Sequence, residues 1–281
     1  MTLATLAWDC RCELGEGALW SAGDQSLYSV DIKGCEILAF TPESGLQRRW
    51  KMPQLVGWVL PRRTGGWLAG FASGVAALEL RPDGYSSLDW QHRLHAPDSP
   101  MRLNDATCDG AGRLWFGSMN NLQESLPQGR LYRLRPGAAP EEVDAGYGVT
   151  NGPAISPDGT RLYHTDSPQR TVYVFDLSPD GQLANKRVWL QFAPHEGYPD
   201  GMTCDAQGNV WIAHWGGACA TQHDSSGQML RRVMVPASQV TNVAFGGAEL
   251  RDLYLTTART GLDQAALAAT PAAGGLFVVA G

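Results

Sequence analysis

An aromatic residue recurs behind a turn at a nearly constant interval along this chain. Tyr28, Trp67, Trp115, Tyr163, Trp211 and Tyr254 sit in segments 23–31, 63–71, 110–118, 157–165, 205–213 and 248–256, at spacings of 39, 48, 48, 48 and 43 residues. Three identical steps in a row indicate internal repetition, and a period of this size restricts the chain to solenoid, propeller or array architectures. Each unit has the same order of parts: a short apolar run, a turn, an aromatic-bearing strand, then further strands. In the fourth unit these are GPAIS (152–156), TRLYHTD (160–166), TVYVFDL (171–177) and VWLQF (188–192). No segment carries the 3.6-residue apolar period of a helix, and 33 Gly with 17 Pro suit a chain broken by many turns. Six units of four short strands predict an all-β fold, a six-bladed β-propeller with four-stranded blades, as a single domain over 1–281. The segment GGLFVVAG (274–281) reads as a strand of the last blade, and LAWDCRC (6–12) as the piece that completes it and closes the ring. A pair of β-sandwich domains is the alternative, which the regular sixfold period disfavours.

Composition excludes several function classes. With 22 Lys+Arg against 28 Asp+Glu the net charge is −6, so no basic face for nucleic acid is expected. No apolar run approaches the roughly 18 residues of a membrane helix, and the N-terminus lacks the basic and apolar regions of a signal peptide. These features predict a cytoplasmic, monomeric protein with no membrane partner. The six cysteines are expected to be reduced and mostly buried; Cys10-x-Cys12 is too tight for a zinc knuckle and has no matching second pair.

The repeat supplies a register. Counting back 11 or 12 residues from each aromatic gives Glu16, Asn104, Asn151, Asp200 and Asn242; the second unit gives Val56 or Gly57 and breaks the pattern. This position opens the first strand of each blade, so the oxygen-bearing side chains are expected to converge on one mouth of a central channel. Asn-Gly and Pro-Asp-Gly are also common turn signals. Pro82-Asp83-Gly84, Pro157-Asp158-Gly159 and Pro179-Asp180-Gly181 read as turns only. Asp200-Gly201 and Asn151-Gly152 differ, because each is followed by its own later hairpin turn. Two carboxylates and a carboxamide brought together raise one pKa or recruit a cation. All-oxygen donors suit a hard divalent ion such as Ca2+, Mg2+ or Mn2+, and three protein ligands leave the open positions of a catalytic site.

In this order and spacing, Leu14-Gly15-Glu16-Gly17-Ala18-Leu19-Trp20, Arg102-Leu103-Asn104-Asp105, Asn151-Gly152, Pro199-Asp200-Gly201-Met202 and Val240-Thr241-Asn242 resemble the SMP-30/gluconolactonase/regucalcin-like family of sugar lactonases. The resemblance spans roughly residues 8 to 280. It implies a six-bladed propeller with one divalent metal at the channel mouth, held by Glu16, Asn151 and Asp200. It also implies sugar contacts from Arg102 and Asn104, and a substrate-binding carboxylate in the region of Asn120 to Glu124. The ion's identity stays open among Ca2+, Zn2+, Mn2+, Mg2+ and Fe2+.

The expected chemistry is opening of a sugar acid lactone, a small-molecule substrate such as xylono-, arabinono-, galactono- or gluconolactone, to its aldonic acid. Asp200 is assigned as the catalytic group, able to ligate with one oxygen and accept a proton with the other. Arg102, Asn104 and Asn121 are assigned to substrate hydroxyls. No Gly-x-Ser-x-Gly elbow supplies a serine nucleophile. His164 and His214 read as satisfied strand histidines, while Trp58, Trp215 and Tyr198 are candidate pocket walls. Two other readings remain: a calcium-binding propeller without activity, and a hydrolase of other lactones or esters.

Overall fold

A computed structural model describes residues 2–85 and 87–281 of the chain. Six four-stranded antiparallel sheets follow one another as blades. Blade 1 contains Gly15–Ser21, Ser26–Asp31, Glu36–Thr41 and Leu46–Lys51; blade 2 contains Val56–Pro61, Trp67–Phe71, Gly74–Leu78 and Asp89–Arg93. Blade 3 contains Met101–Cys108, Leu114–Asn120, Gly129–Leu134 and Glu141–Tyr147; blade 4 contains Thr150–Ile155, Arg161–Asp166, Thr171–Leu177 and Leu183–Gln191. Blade 5 runs through Tyr198–Cys204, Val210–Trp215, Cys219–His223 and Met229–Met234. Blade 6 takes Val240–Gly246, Asp252–Thr257 and Leu276–Val279 from the end of the chain and Thr5–Trp8 from its beginning. The first strand of each blade packs against the first strand of the next, and that of blade 6 packs against that of blade 1. The expected six-bladed ring is present, closed by the N-terminal strand. Thr2–Leu3 adds a parallel strand to the outer edge of blade 5.

The repeated aromatics have a packing cause. Neighbouring blades face each other across a gap that apolar side chains fill, and each of the six gaps holds its own core cluster. Trp115 fills the gap between blades 3 and 4, Tyr163 that between 4 and 5, Trp211 that between 5 and 6, and Tyr254 that between 6 and 1. Blade 2 departs from this rule. Trp67 lies in the gap between blades 1 and 2 together with Tyr28, their ring centroids 4.1 Å apart, and Trp58 fills the gap between blades 2 and 3 instead. Trp58 is therefore a core residue between blades and not a wall of the predicted site.

At the start of all six first strands the ladder to the second strand slips. The breaks fall between Glu16 and Leu19, Val56 and Trp58, Leu103 and Ala106, Asn151 and Ala154, Pro199 and Met202, and Val240 and Asn242. Such bulges leave residues without a cross-strand partner and re-aim their side chains. Gly17 and Gly152, directly after Glu16 and Asn151, take φ of 58° and 68°, a conformation other residues rarely adopt. In blade 2 the register position is Gly57, where a Cβ would stand 2.4 Å from the carbonyl oxygen of Asn104. The neighbouring strand thus excludes a side chain there, which explains the gap in the polar pattern.

Two short elements among the described residues depart from the all-strand expectation: a 3-10 helical turn, Pro194–Glu196, and a helix, Gln264–Ala269, whose Asp263 side chain accepts the Ala266 N–H. Its six residues are too few to show an apolar period. Among the described residues no helix is long and apolar enough to cross a membrane. All six cysteines are free; Cys10, Cys12 and Cys219 are buried, Cys35 and Cys204 half-buried, and Cys108 exposed.

Candidate active site

The starts of the first strands reach one mouth and their later residues the other; Asp105 and the register residue Asn242 line the second side, not the first. A cavity of about 400 Å3 occupies the first mouth, lined by Glu16, Asn151, Asp200, Arg102 and Asn104. Five residues predicted from the register and the resemblance are therefore gathered there. Asn121 does not line this cavity; its Oδ1 accepts the Arg102 Nε–H at 2.7 Å, from behind the guanidinium.

Each of these side chains is oriented by a neighbour. Asn151 donates from Nδ2 to Ser167 Oγ (2.8 Å), and Ser167 in turn donates to the Pro199 carbonyl (2.7 Å). The amide nitrogen is tied back and Oδ1 faces Asn104, whose Nδ2 donates to it at 2.7 Å. Glu16 Oε2 accepts from the Gly17 N–H (3.0 Å) and from Asn242 Nδ2 (3.2 Å). Arg102 donates from Nη1 to Asn104 Oδ1 and to the Leu103 carbonyl. Buried polar groups held this way are rigid and pre-aimed.

The electrostatics are those of crowded acids. Burial pushes the Glu16 carboxyl up to about 8, with the Asp105 charge adding to the shift. Burial, then the charges of Glu16 and Asp105, hold Asp200 well above the usual carboxylate range. Burial draws Arg102 down to about 10, against the pull of Glu124, Glu16 and Asp200. Asp200 and Glu16 line one cavity, close enough for the Glu16 charge to raise the Asp200 carboxyl. Two buried acids in that position need a shared proton or a cation between them. Two carboxylates and an inward-facing amide oxygen fit a hard divalent ion. Among the described residues no three His, Cys, Asp or Glu side chains converge as a ligand set; the donor set here is two acids and a carboxamide.

The structure adds residues that the register did not single out. Asp105, 5% exposed, follows Asn104 in the same bulge, and its Oδ2 accepts from Asn242 Nδ2 at 3.2 Å. Burial raises its carboxyl to about 7. The bulge leaves two consecutive residues unpaired, a doubling that a one-position register could not show. Glu124 and Lys33 stand on the rim, with Leu14, Tyr198 and Trp215 as apolar wall. Glu124 is the carboxylate of the segment that the resemblance marked. Asn120 turns away to hold the loop, its Oδ1 accepting the Leu122 and Gln123 N–H groups and its Nδ2 donating to Gln128. His195 lies in the turn Pro194–Glu196 and does not line the cavity. His214 is satisfied by the Glu196 carbonyl and Thr221. His164 is not: both ring nitrogens are fully buried without a partner, which corrects the satisfied reading for this residue.

The SMP-30/Gluconolactonase/LRE-like region matches residues 14–259. The chain belongs to that family. It is 36% identical to an L-arabinolactonase of Azospirillum brasilense, covering 98% of this chain and 91% of the relative. It is 35% identical to a pentonolactonase of Haloferax volcanii, covering 89% and 83%. Among solved structures, a calcium-binding regucalcin of Agrobacterium tumefaciens superposes with a TM-score of 0.92 at 25% identity, over 99% of this chain and 93% of that one. This family member thus has its six-bladed fold in common with a solved relative.

Proposed function

We propose that this family member hydrolyses the ring ester of a five- or six-carbon aldonolactone with the help of one divalent metal ion. The observation that carries the reading is the pair of mutually buried acids, Glu16 and Asp200, set beside Asn151, Arg102 and Asn104 in one cavity. Relatives bearing lactonase names at 35–36% identity support it, and the calcium-binding neighbour supports the ion. Glu16, Asn151 and Asp200 would hold the ion, which supplies Lewis-acid polarisation of the lactone carbonyl when bound.

The remaining work falls to side chains. Asp200 accepts a proton from the attacking water as the new C–O bond forms at the carbonyl carbon. The ring C–O bond then breaks, and the departing oxygen takes up the proton. Arg102 and Asn104 bind hydroxyls or the ring oxygen, offering forked donors and a paired donor and acceptor. Asn121 keeps the guanidinium in place. A calcium-binding propeller without activity would have no use for Arg102 held in this way.

The test is proton release from xylono-, arabinono-, galactono- and gluconolactone, with chelator-treated protein and each of Ca2+, Mg2+, Mn2+, Zn2+ and Fe2+ added back. A rate above spontaneous hydrolysis that depends on the metal is expected. Rates equal to the no-enzyme background with every metal overturn the reading.

A further inference from the structure

One hydroxyl stands between two of the three donors assigned to the ion. Ser167 lies in the turn after the second strand of blade 4 and lines the first mouth. Its backbone is held on both sides, the N–H donating to the Val149 carbonyl (3.1 Å) and the carbonyl accepting the Arg170 N–H (2.9 Å). Its hydroxyl accepts from Asn151 Nδ2 at 2.8 Å and donates to the Pro199 carbonyl at 2.7 Å, directly before Asp200. These bonds complete a chain of one polarity across three blades. Arg102 Nη1 donates to Asn104 Oδ1, Asn104 Nδ2 to Asn151 Oδ1, Asn151 Nδ2 to Ser167 Oγ, and Ser167 Oγ to Pro199. A guanidinium only donates and a carbonyl only accepts. Both ends of the chain are unambiguous, so every amide between them is fixed in the same sense from whichever end it is followed. With its proton committed to Pro199, Ser167 offers Asn151 only lone pairs. What faces it must be the amide nitrogen, and the amide oxygen is left on the side of Asn104.

We propose that Ser167 is a positioning residue for the ion: its one hydroxyl selects the Asn151 oxygen as the ligand atom and ties that amide to the Pro199–Asp200 peptide, joining the donors of blades 4 and 5. The inference rests on the proposed ion at Glu16, Asn151 and Asp200. Ser167 acts through other residues, since its proton is committed to Pro199 and its oxygen to Asn151. Without the hydroxyl, Asn151 Nδ2 loses its partner, and a buried donor left unsatisfied is costly whenever Oδ1 is held by an ion. Outer partners of this kind are worth about 10- to 100-fold in metal affinity. The turn itself does not depend on the hydroxyl, because the bonds to Val149 and Arg170 are made by backbone.

The ion alone is the probe, with no lactone present. Full-length, chelator-treated protein is titrated with Mn2+, and free Mn2+ is read by electron paramagnetic resonance. Ser167→Ala is expected to weaken Mn2+ binding by about 10- to 100-fold, and Ser167→Thr, which keeps the hydroxyl, by less than about threefold. An ion-free melting curve first shows each variant folded. A general packing role is separated by the Asn151→Asp background, in which that side chain has no N–H for the hydroxyl to accept. There Ser167→Ala should cost less than about threefold. The proposal is overturned by Ser167→Ala binding as tightly as wild type, by Ser167→Thr binding as weakly as Ser167→Ala, or by an equal loss in both backgrounds. Wild type that takes up no Mn2+ overturns the ion reading and this role with it. A result against Ser167 alone leaves wild-type ion binding and the lactone assay standing, so the two failures are distinct.

Discussion

The two mouths of the channel are built from the same six strands, yet one gathers five charged side chains and the other lines its cavity with Asp105 alone. The first holds Glu16, Asn151, Asp200 and Arg102; the second holds Trp20, Leu60, Met202 and Phe245. The division falls at the bulge in each first strand. Glu16 and Asn151 are the last paired residues before the slip and Asp200 lies within it, while residues beyond it return to regular pairing and carry side chains chosen for packing. Function and stability are thus separated by two residues between Asp200 and Met202 and four between Glu16 and Trp20, and substitutions on the two sides should behave differently.

The largest effect is expected at Asp200. Asp200→Asn should lower lactone turnover by about a thousandfold or more while leaving the melting temperature of chelator-treated protein unchanged or higher, because a buried acid beside another is costly to fold. Trp20→Phe, beyond the bulge, should change turnover by less than about threefold and act on stability instead. Comparable activity losses in steady-state assays of the two variants would break the division. Next in size, removing divalent metal should lower stability of the wild type. At a ligand concentration about a hundred times Kd the stabilisation is about 2.7 kcal/mol. Thermal denaturation with and without chelator measures it, and in Glu16→Gln the shift should largely vanish.

A finer test separates Arg102 from its support. Arg102→Ala should cost about 10- to 100-fold in kcat/KM with the metal-dependent shift in melting intact. Asn121→Ala should cost less, about three- to tenfold, since that side chain touches the guanidinium and not the cavity. An Asn121 variant as impaired as Arg102→Ala would place Asn121 in contact with substrate.

The smallest effect lies away from both mouths. Burial holds the His164 ring down at about 3, against an ordinary value of 6.5. Between those values the unfolded chain binds a proton that the folded chain does not, so this group's contribution is complete above about pH 6.5 and declines on acidification. The decline is at most about 1.4 kcal/mol per pH unit. His164→Phe should flatten the pH dependence of urea unfolding between about pH 6 and 4 and leave turnover at neutral pH unaltered. An unchanged slope would remove His164 as its source.

How far the sequence foretold this follows from what each feature depends on. The blades were legible because every gap between them needs a large side chain at about the same place, and five of the six marker aromatics obey that need. Blade 2 misled at Trp67, because only packing shows that Trp67 shares a gap with Tyr28 while Trp58 does its usual work. Glu16, Asn151 and Asp200 were legible as polar residues at a strand start. Ser167 was not, since it arrives from the turn after the second strand of blade 4 and acts by contacting Pro199 in the next blade. Asp105 was hidden by its neighbour: a register that picks one residue per strand selects Asn104 and passes over the second residue that the bulge frees.

The closing strand sets the order in which a newly made chain can become whole. Thr5–Trp8 leaves the ribosome long before Leu276–Val279, with which it pairs, while Thr2–Leu3 waits for Val233 and Met234. At about 5–20 residues per second, the separation of roughly 270 residues is a wait of about 14 to 54 seconds. Glu16 waits with them, because Asn242, which holds its carboxylate, belongs to the blade that this strand completes. These early strands are therefore a clasp across the last two blades built. Until it shuts, the nascent protein carries an unpaired strand edge and an unfinished ring of acids.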